Sequence, residues 1–586
     1  MELFLVLSTP RPAEPALVDA LAAVLARAAD AVPGLAGAER STWHSASRRT
    51  HGARVGHPPE RAGGLARAWS DERRWQVLDG FPIVRDAAPP RTGPIALDAP
   101  DGRFALCDVA DDEIALTCDR MGSYAAYARR LPGGAVALGN SPAALAALPP
   151  RAPTDPEALE DFLVAGWIFG GRSPWAGVER MPPGRSTATG GVLRPSSCRL
   201  VDVALQAAAR PVHRDVEAGA DLLRGTLAAV ARDARGPIEL GLSGGRDSRV
   251  VLAAAIAAGL RPHTYTLALA EDPQFPDTGD VVAARRVAAE LGLDHEVRVS
   301  TTDVDRSERW MRAVTGGVSA MDATPSTVDV RGRTPVVLTG AAVELGWLTH
   351  GLALTTAPAD DAIRGAVAAW IHRFPAPLGT AGAYRRTLAR GMRGPREWHR
   401  AGLPSALLAE GFFAFERTAN WAAPTHAAYA PFFDTVSPGW SADLLPILWS
   451  LDARDREMDR WRRGMVHALC PEIERLPFSG GSPLWPDDAR GGSYLLRGEK
   501  RDRIRRFVRS RALGSGVAKV PAQLAAFRAL QEDLRRAVAE DERMAAVVDR
   551  RAAARLARTP VRRLDPRSQQ RVVRAAHVAR LLREVA

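Results

Sequence analysis

Ser243-Gly244-Gly245-Arg246-Asp247-Ser248 set two hydroxyls, two glycines and a carboxylate within six residues, inside the stretch GPIELGLSGGRDSRVVLAAAIAAG that spans 236–259. Glycines permit a tight turn and close backbone approach, while hydroxyls and the first amides of a following helix can point donors at an anion. This is chemistry suited to phosphate. Asp247 repels the same anion unless a divalent cation lies between them, so the loop calls for a Mg²⁺-nucleotide. A plain glycine turn capped by Asp247 or Ser248 is the simpler alternative. The apolar strand before the loop and the alanine-rich helix after it favour the phosphate reading.

The elements around this loop are legible from pattern. From His213 onward, helical stretches alternate with short apolar strands: VEAGADLLRGTLAAVARDA, IELGLS, VVLAAAIAAG, HTYTLAL, a helix from about Asp280 to Leu291, HEVRV and PVVLTG. Such alternation predicts a parallel sheet with helices on both faces, which binds nucleotides at the carboxyl ends of its strands. Ser243 and Gly340 each fall at a strand end. After Gly340 the pattern is mostly helical. Residues 1 to about 205 read instead as short strands and turns (RFALCDV, EIALTC, AVALGN, a hairpin near PPGRSTATGGVLR) with one helix at DPEALEDFLVAGWI. The expected class is therefore α/β, with an α+β layer over 1–205, a parallel-sheet domain over 206–500 and a basic helical extension over 501–586.

Composition narrows the function. At 586 residues the chain exceeds one ordinary core. No apolar run reaches the ~18 residues of a membrane span, and the short apolar run at the N-terminus has no basic region before it, so a cytoplasmic location is expected. Cys107, Cys118, Cys198 and Cys470 are scattered without a CxxC pair, which argues against disulfides or zinc and for small core residues. The net charge of +11 comes almost wholly from arginine, since Lys500 and Lys519 are the only lysines. Helical spacing puts the arginines of RDRIRRFVRSR and DRRAAARLARTPVRR on a solvated face, a reading preferred to a nucleic-acid site.

The loop SGGRDS lacks the lysine of a Walker A motif and resembles the PP-loop of ATP pyrophosphatases, which cleave ATP between the α and β phosphates to form an adenylate. Further segments resemble the asparagine synthetase family: DGRFAL at 101–106, CDRMGSYAAY at 118–127 and FLVAGWIFGGRSPWAGVERMPPG at 162–184 in a glutaminase-type sandwich domain, then TYTLAL, AARRVAAELGLDHE, VVLTGAAVE and APFFD at 430–434. The likeness runs from the start to about residue 490. It implies that Leu242, Ser243, Gly244, Gly245, Asp247 and Ser248 cradle ATP, that Thr266, Leu267 and Gly340 flank adenine and ribose, and that Asp247 and Glu344 bind Mg²⁺. Asp322 matches a family position near the substrate. Each has a plainer alternative: strand packing for Thr266, Leu267 and Gly340, a helix cap for Asp322, a loop contact for Glu344. His350, a lone histidine after the Glu344 turn, reads as a surface or core residue.

Three departures from that family direct the function. Its glutaminases use a cysteine directly after the initiator methionine as nucleophile; here that residue is Glu2, so the N-terminal domain is expected to be inactive and the nitrogen to come from elsewhere. β-Lactam synthetases carry a tyrosine one residue after the glycine equivalent to Gly340, where this chain has Ala341. The family's late lysine is missing from CPEIERLPFSGGSPLW, leaving Arg475 or Lys500 as substitutes. The remaining resemblance is to lasso peptide cyclases, macrolactam synthetases of antibiotic biosynthesis. It implies adenylation of an Asp or Glu side chain in a leaderless precursor peptide, attack by that peptide's N-terminal amine, and a leader-binding protein and leader peptidase as partners. A ligase using a separate amine and a silent scaffold are the alternatives.

Overall fold

The computed structural model describes residues 1–586 except 33, 36, 57–67, 87–93, 98–99, 270–278, 303, 316–325, 328–335, 349–350, 374–378, 477, 479–484, 486–520, 565 and 586. Asp322, His350 and Lys500 therefore lie outside the described residues. In chain order the first strands are β1 (Glu2–Ser8), β2 (Glu39–His44), β3 (Thr50–Gly56), β4 (Ala68–Ser70), β5 (Arg74–Ile83) and β6 (Asp101–Ala110). They are followed by β7 (Glu113–Cys118), β8 (Tyr127–Arg130), β9 (Val136–Gly139), β10 (Val178–Arg180), β11 (Gly184–Thr189) and β12 (Val192–Arg194).

These strands build two antiparallel sheets, ordered β10-β8-β9-β1-β3-β2 and β12-β11-β7-β6-β5-β4. Phe4 and Val6 of one sheet share a buried cluster with Val77, Cys107 and Leu116 of the other, so the two sheets face each other as a sandwich. Leu3, Leu5 and Leu7 point the opposite way and pack with Leu21, Val24 and Leu25 of the helix Pro15–Asp30. β1 is thus apolar at nearly every position because both its faces are covered. The largely antiparallel layer expected for the N-terminal part is present, and the helix there spans Pro156–Ala165.

The third sheet holds β13 (Ile238–Gly241), β14 (His263–Leu269), β15 (His295–Thr302), β16 (Ser326–Thr327), β17 (Val336–Leu338) and β18 (Asp434–Val436). Its order is β16-β15-β14-β13-β17-β18, parallel except for β16 at one edge. The chain winds from β13 outward through β14 and β15, then returns to β17 on the other side. The direction of winding therefore changes between β13 and β17, the place where sheets of this kind open a crevice at the carboxyl ends of their strands. β18, which begins at the last residue of the APFFD stretch, is an edge strand that the sequence pattern did not separate from its helical surroundings.

The C-terminal helices Pro521–Glu540, Arg550–Arg558 and Pro566–Val585 bury Leu530, Leu534, Val572 and Leu582 in one cluster with Leu159 and Phe162 of the N-terminal part. This extension is packed onto the sandwich domain. Arg551, Arg555 and Arg558 are solvated as expected, but Arg574 is buried against Gly166. No helix among the described residues is long and apolar enough to cross a membrane.

Sandwich and parallel-sheet domains meet through charged contacts. Asp443 receives Arg85 and Arg120, and the Ser441 hydroxyl donates to Asp101 at 2.6 Å. Glu416 lies on a π-helix, Phe412–Ala422, and accepts from the Gly170 amide at 3.3 Å and the Asn420 amide at 3.1 Å. Burial pushes the Glu416 carboxyl up to about 7. The folded chain therefore holds a proton that the unfolded chain releases near pH ~4.3. This stabilisation is full below the unfolded value and is lost as pH rises through about 7. Replacing Glu416 with Gln should lessen the loss of stability between pH 5 and 8 by on the order of 2 kcal/mol, measured by urea unfolding; an identical pH dependence in both proteins would count against this.

Candidate active site

β13 delivers the chain to the crevice. The Leu242 amide donates to the Tyr265 carbonyl at 2.8 Å, and the Thr266 hydroxyl donates to the Leu242 carbonyl at 2.7 Å. The Leu242 side chain lies in the core, and Thr266 also faces His295 at 3.3 Å. Both residues expected to touch nucleotide thus anchor the loop to β14. Leu267 differs, since it keeps 42% of its surface exposed near the carboxyl end of β14. An apolar side chain left open there suits a flat aromatic ligand.

The loop's donors have internal partners. The Ser243 and Ser248 hydroxyls are 3.1 Å apart, and Ser248 Oγ also accepts from the Ser243 amide at 3.2 Å. Ser243 Oγ accepts from the Gly245 amide at 3.1 Å. The Gly244 amide donates at 3.2 Å to Oδ1 of Asp280, in the first turn of the helix Gly279–Glu290. Three consecutive amides are thus held by small acceptors that an anion could replace. Asp280 was not among the expected site residues; only its place at the start of a helix was visible in the sequence.

Asp247 opens the helix Asp247–Ala257, whose residues from Ser248 to Ala255 are all buried. Gly340, just after β17, presses on that helix start: a Cβ there would lie 2.6 Å from the Ser248 amide nitrogen and 2.8 Å from the Asp247 carbonyl carbon. The chain then turns through Ala342, at φ 67°, into the short helix Val343–Gly346 that carries Glu344. Gly439 packs against this turn, where a Cβ would fall 2.5 Å from the Val343 nitrogen. Asp247 and Glu344 are brought together. Burial and then the charge of Asp247 push the Glu344 carboxyl up, and burial raises Asp247 against the opposing pull of Arg462.

A guanidinium network surrounds the carboxylates. Arg462, on the helix Arg460–Leu469, has its Nε 2.8 Å from Asp247 Oδ1, and its Nη1 donates to Asp459 Oδ1. Asp459 is fully buried, sits at φ 62° and accepts on Oδ2 from Arg246 of the loop at 2.8 Å. Arg249 donates to the Leu476 carbonyl at 2.7 Å and stacks over Phe478. Arg475, one candidate for the missing lysine, is exposed. Ala341 brings no hydroxyl to the loop. Arg462, Asp459 and Arg246 went unrecognised in the sequence because their partners are far apart in the chain.

Mg²⁺ fits this donor set. Asp247 Oδ1 is buried with no hydrogen bond, Glu344 and Asp247 repel each other, and both offer hard oxygen ligands. Two carboxylates would leave the remaining ligand positions to phosphate oxygens and water, in keeping with a cation that arrives with its nucleotide. No cluster of three or more metal-ligating side chains occurs among the described residues.

At the start of β1, Glu2 is buried and paired with Arg54 at 2.6 Å. Its amide donates to Asp79, which also accepts from the Tyr124 hydroxyl, and Asn140 ties Tyr124 to the Glu2 carbonyl. Burial raises Cys107, Cys118 and the half-buried Cys198, and pushes Cys470 up to about 11.

Residues 219–335 match the asparagine synthase family. No curated protein matches the chain. Solved structures similar to it include the allosteric regulatory enzyme of purine biosynthesis, at 10% identity and a TM-score of 0.22 over 58% of this chain and 74% of that one. Another is the glutamine phosphoribosylpyrophosphate amidotransferase from B. subtilis complexed with ADP and GMP, at 11% identity and a TM-score of 0.21 over 59% and 76%. The family match covers β13, the Ser243–Ser248 loop, β14 and β15, and it supports an ATP-dependent amide-forming ligase of the asparagine synthetase-like kind.

The Gly340 contact gives a direct test. Gly340→Ala forces a Cβ onto the Ser248 amide and should cost roughly 1–3 kcal/mol while weakening ATP binding. Thermal unfolding and calorimetric titration with ATP check this; unchanged stability and affinity would mean that the two strand ends do not need this approach.

Proposed function

We propose that this protein closes a macrolactam ring in a peptide, in the manner of a lasso peptide cyclase. A side-chain carboxylate of Asp or Glu attacks the α-phosphorus of ATP, giving an acyl adenylate and pyrophosphate. The N-terminal amine of the same peptide then attacks the acyl carbon; AMP leaves, the amine loses its proton and one water is lost overall. Adenylation is needed because a carboxylate is a poor acyl electrophile, and holding both ends of one peptide together makes the amide step unimolecular.

The observation that carries this reading is a Ser243–Ser248 loop whose amides are held by small acceptors beside the paired carboxylates Asp247 and Glu344, in a chain whose cysteine thiols are pushed up by burial. In this reading ATP is activated and the nitrogen comes with the substrate. The loop amides of Ser243, Gly244 and Gly245, with the Ser248 hydroxyl, hold phosphate oxygens; Leu267 lies against the base. Asp247 and Glu344 hold Mg²⁺, which when bound neutralises the departing pyrophosphate. A precursor peptide is the substrate, and a leader-binding protein and a leader peptidase are the partners, in the cytoplasm.

The test is exchange of labelled pyrophosphate into ATP in the presence of a leaderless candidate peptide, followed by mass spectrometry of the peptide. The expected results are exchange that falls by ~100-fold or more in Asp247→Ala, and a product lighter by one water without added glutamine. Absence of exchange in the wild type, or exchange that Asp247→Ala leaves intact, would make the protein a scaffold. A requirement for glutamine or a free amine would replace ring closure with intermolecular ligation.

A further inference from the structure

The pairing of Arg462 with Asp247 has a feature that an ordinary salt bridge lacks. Arg462 Nε lies 2.8 Å from Asp247 Oδ1, yet neither atom makes an aligned hydrogen bond. The guanidinium is otherwise fixed: its Nη1 donates to Asp459, its side chain is only 5% exposed, and its plane lies near the Trp461 ring at 4.9 Å. Trp461 packs on Gly346, two residues beyond Glu344. Arg462 is therefore tethered at one corner while the edge facing the loop rests on a carboxylate without satisfying it.

We infer that Arg462 occupies the cation position at Asp247 in the nucleotide-free protein and becomes a phosphate ligand when the metal-nucleotide arrives. This rests on the reading of the loop as an ATP site. Arg462 Nε faces Asp247 Oδ1, the oxygen left buried without a hydrogen bond, and a divalent ion bound through that oxygen and Glu344 displaces the guanidinium edge from it. Asp459 keeps Nη1 in place, and the released Nε–H then faces the oxygens entering above Ser243 to Ser248. A guanidinium held at one corner can still offer two parallel donors to phosphate, which an ammonium cannot. Arg246, anchored to the other oxygen of Asp459, couples the same carboxylate to the loop. The assignment gives the site a buried cation where Arg475 is exposed.

The inference predicts opposite effects on two ligands. Mn²⁺ binding to the nucleotide-free protein can be followed by electron paramagnetic resonance, and binding of inorganic pyrophosphate in the presence of Mn²⁺ by calorimetry. Arg462→Met removes the competitor and should tighten Mn²⁺ binding several-fold, while weakening pyrophosphate binding roughly 10- to 100-fold. Arg462→Lys keeps the charge but loses the fork; it should fold as wild type and bind pyrophosphate with intermediate affinity. A purely structural ion pair instead predicts that both ligands weaken together. Unchanged Mn²⁺ affinity in Arg462→Met, or wild-type pyrophosphate affinity in either variant, overturns the inference alone. A wild-type protein that binds neither Mn²⁺ nor pyrophosphate overturns the ATP site with it.

Discussion

Two carboxylates forced together at the mouth of the Ser243–Ser248 loop are the constraint around which this structure is built. Asp247 and Glu344 belong to different strand ends, and both are driven toward the protonated form by burial. Holding them there requires contacts that tolerate no added atoms. Gly340 lies on the backbone at Ser248, Gly439 lies on the backbone at Val343, and Trp461 fills the space over Gly346. These approaches fix the carboxylates from three sides. Without a compensating cation they would cost stability. Arg462 supplies that cation, and it is itself balanced by Asp459.

The same constraint explains the sheet. A parallel order with β13 at its centre puts the loop after β13 beside the loop after β17, and only a change in winding direction leaves the crevice between them open. The helix after the loop is alanine-rich because it is enclosed on all sides, with Val250 to Ala255 entirely buried. Small side chains let the sheet and the helix Glu217–Asp233 approach it. Leu242 and Thr266 belong to this scaffolding, since both serve the join between β13 and β14.

Much of this was legible in the sequence where a residue type reports its own local geometry. The turn glycines, the carboxylates at strand ends and the alternation of helix and strand all announce themselves within a few residues. β14 was read at its true bounds, and the antiparallel character of the first 205 residues was recovered from its later hairpins. β1 was missed as a strand because ELFLVLS is buried on both faces and shows no alternation. β18 was missed because three residues between helical stretches carry no periodicity. The charged network was hidden for a different reason: Arg462, Asp459 and Asp280 act through partners up to some two hundred residues away, and in a chain so rich in arginine a single one has no signature.

The retained sandwich is explained by the same reasoning. Cys107 and Cys118 are buried in it, the start of β1 is closed by Glu2 and Arg54, and the sandwich also makes mechanical contacts with its neighbour. Asp101, at the start of β6, accepts from the Ser441 hydroxyl at 2.6 Å and from the Ala442 amide at 3.2 Å. Those residues lie just past Gly439, which presses on the turn before Glu344. Asp443 adds Arg85 and Arg120 to the same junction. A run of direct contacts therefore joins a strand of the sandwich to a carboxylate of the candidate metal site. Removing the domain would leave Ser441 and Ala442 without their acceptor and Asp443 without its cations, in the segment that holds the Glu344 turn in place. The sandwich domain is tied to the chemistry of its neighbour, because part of the neighbour's candidate site is braced against it.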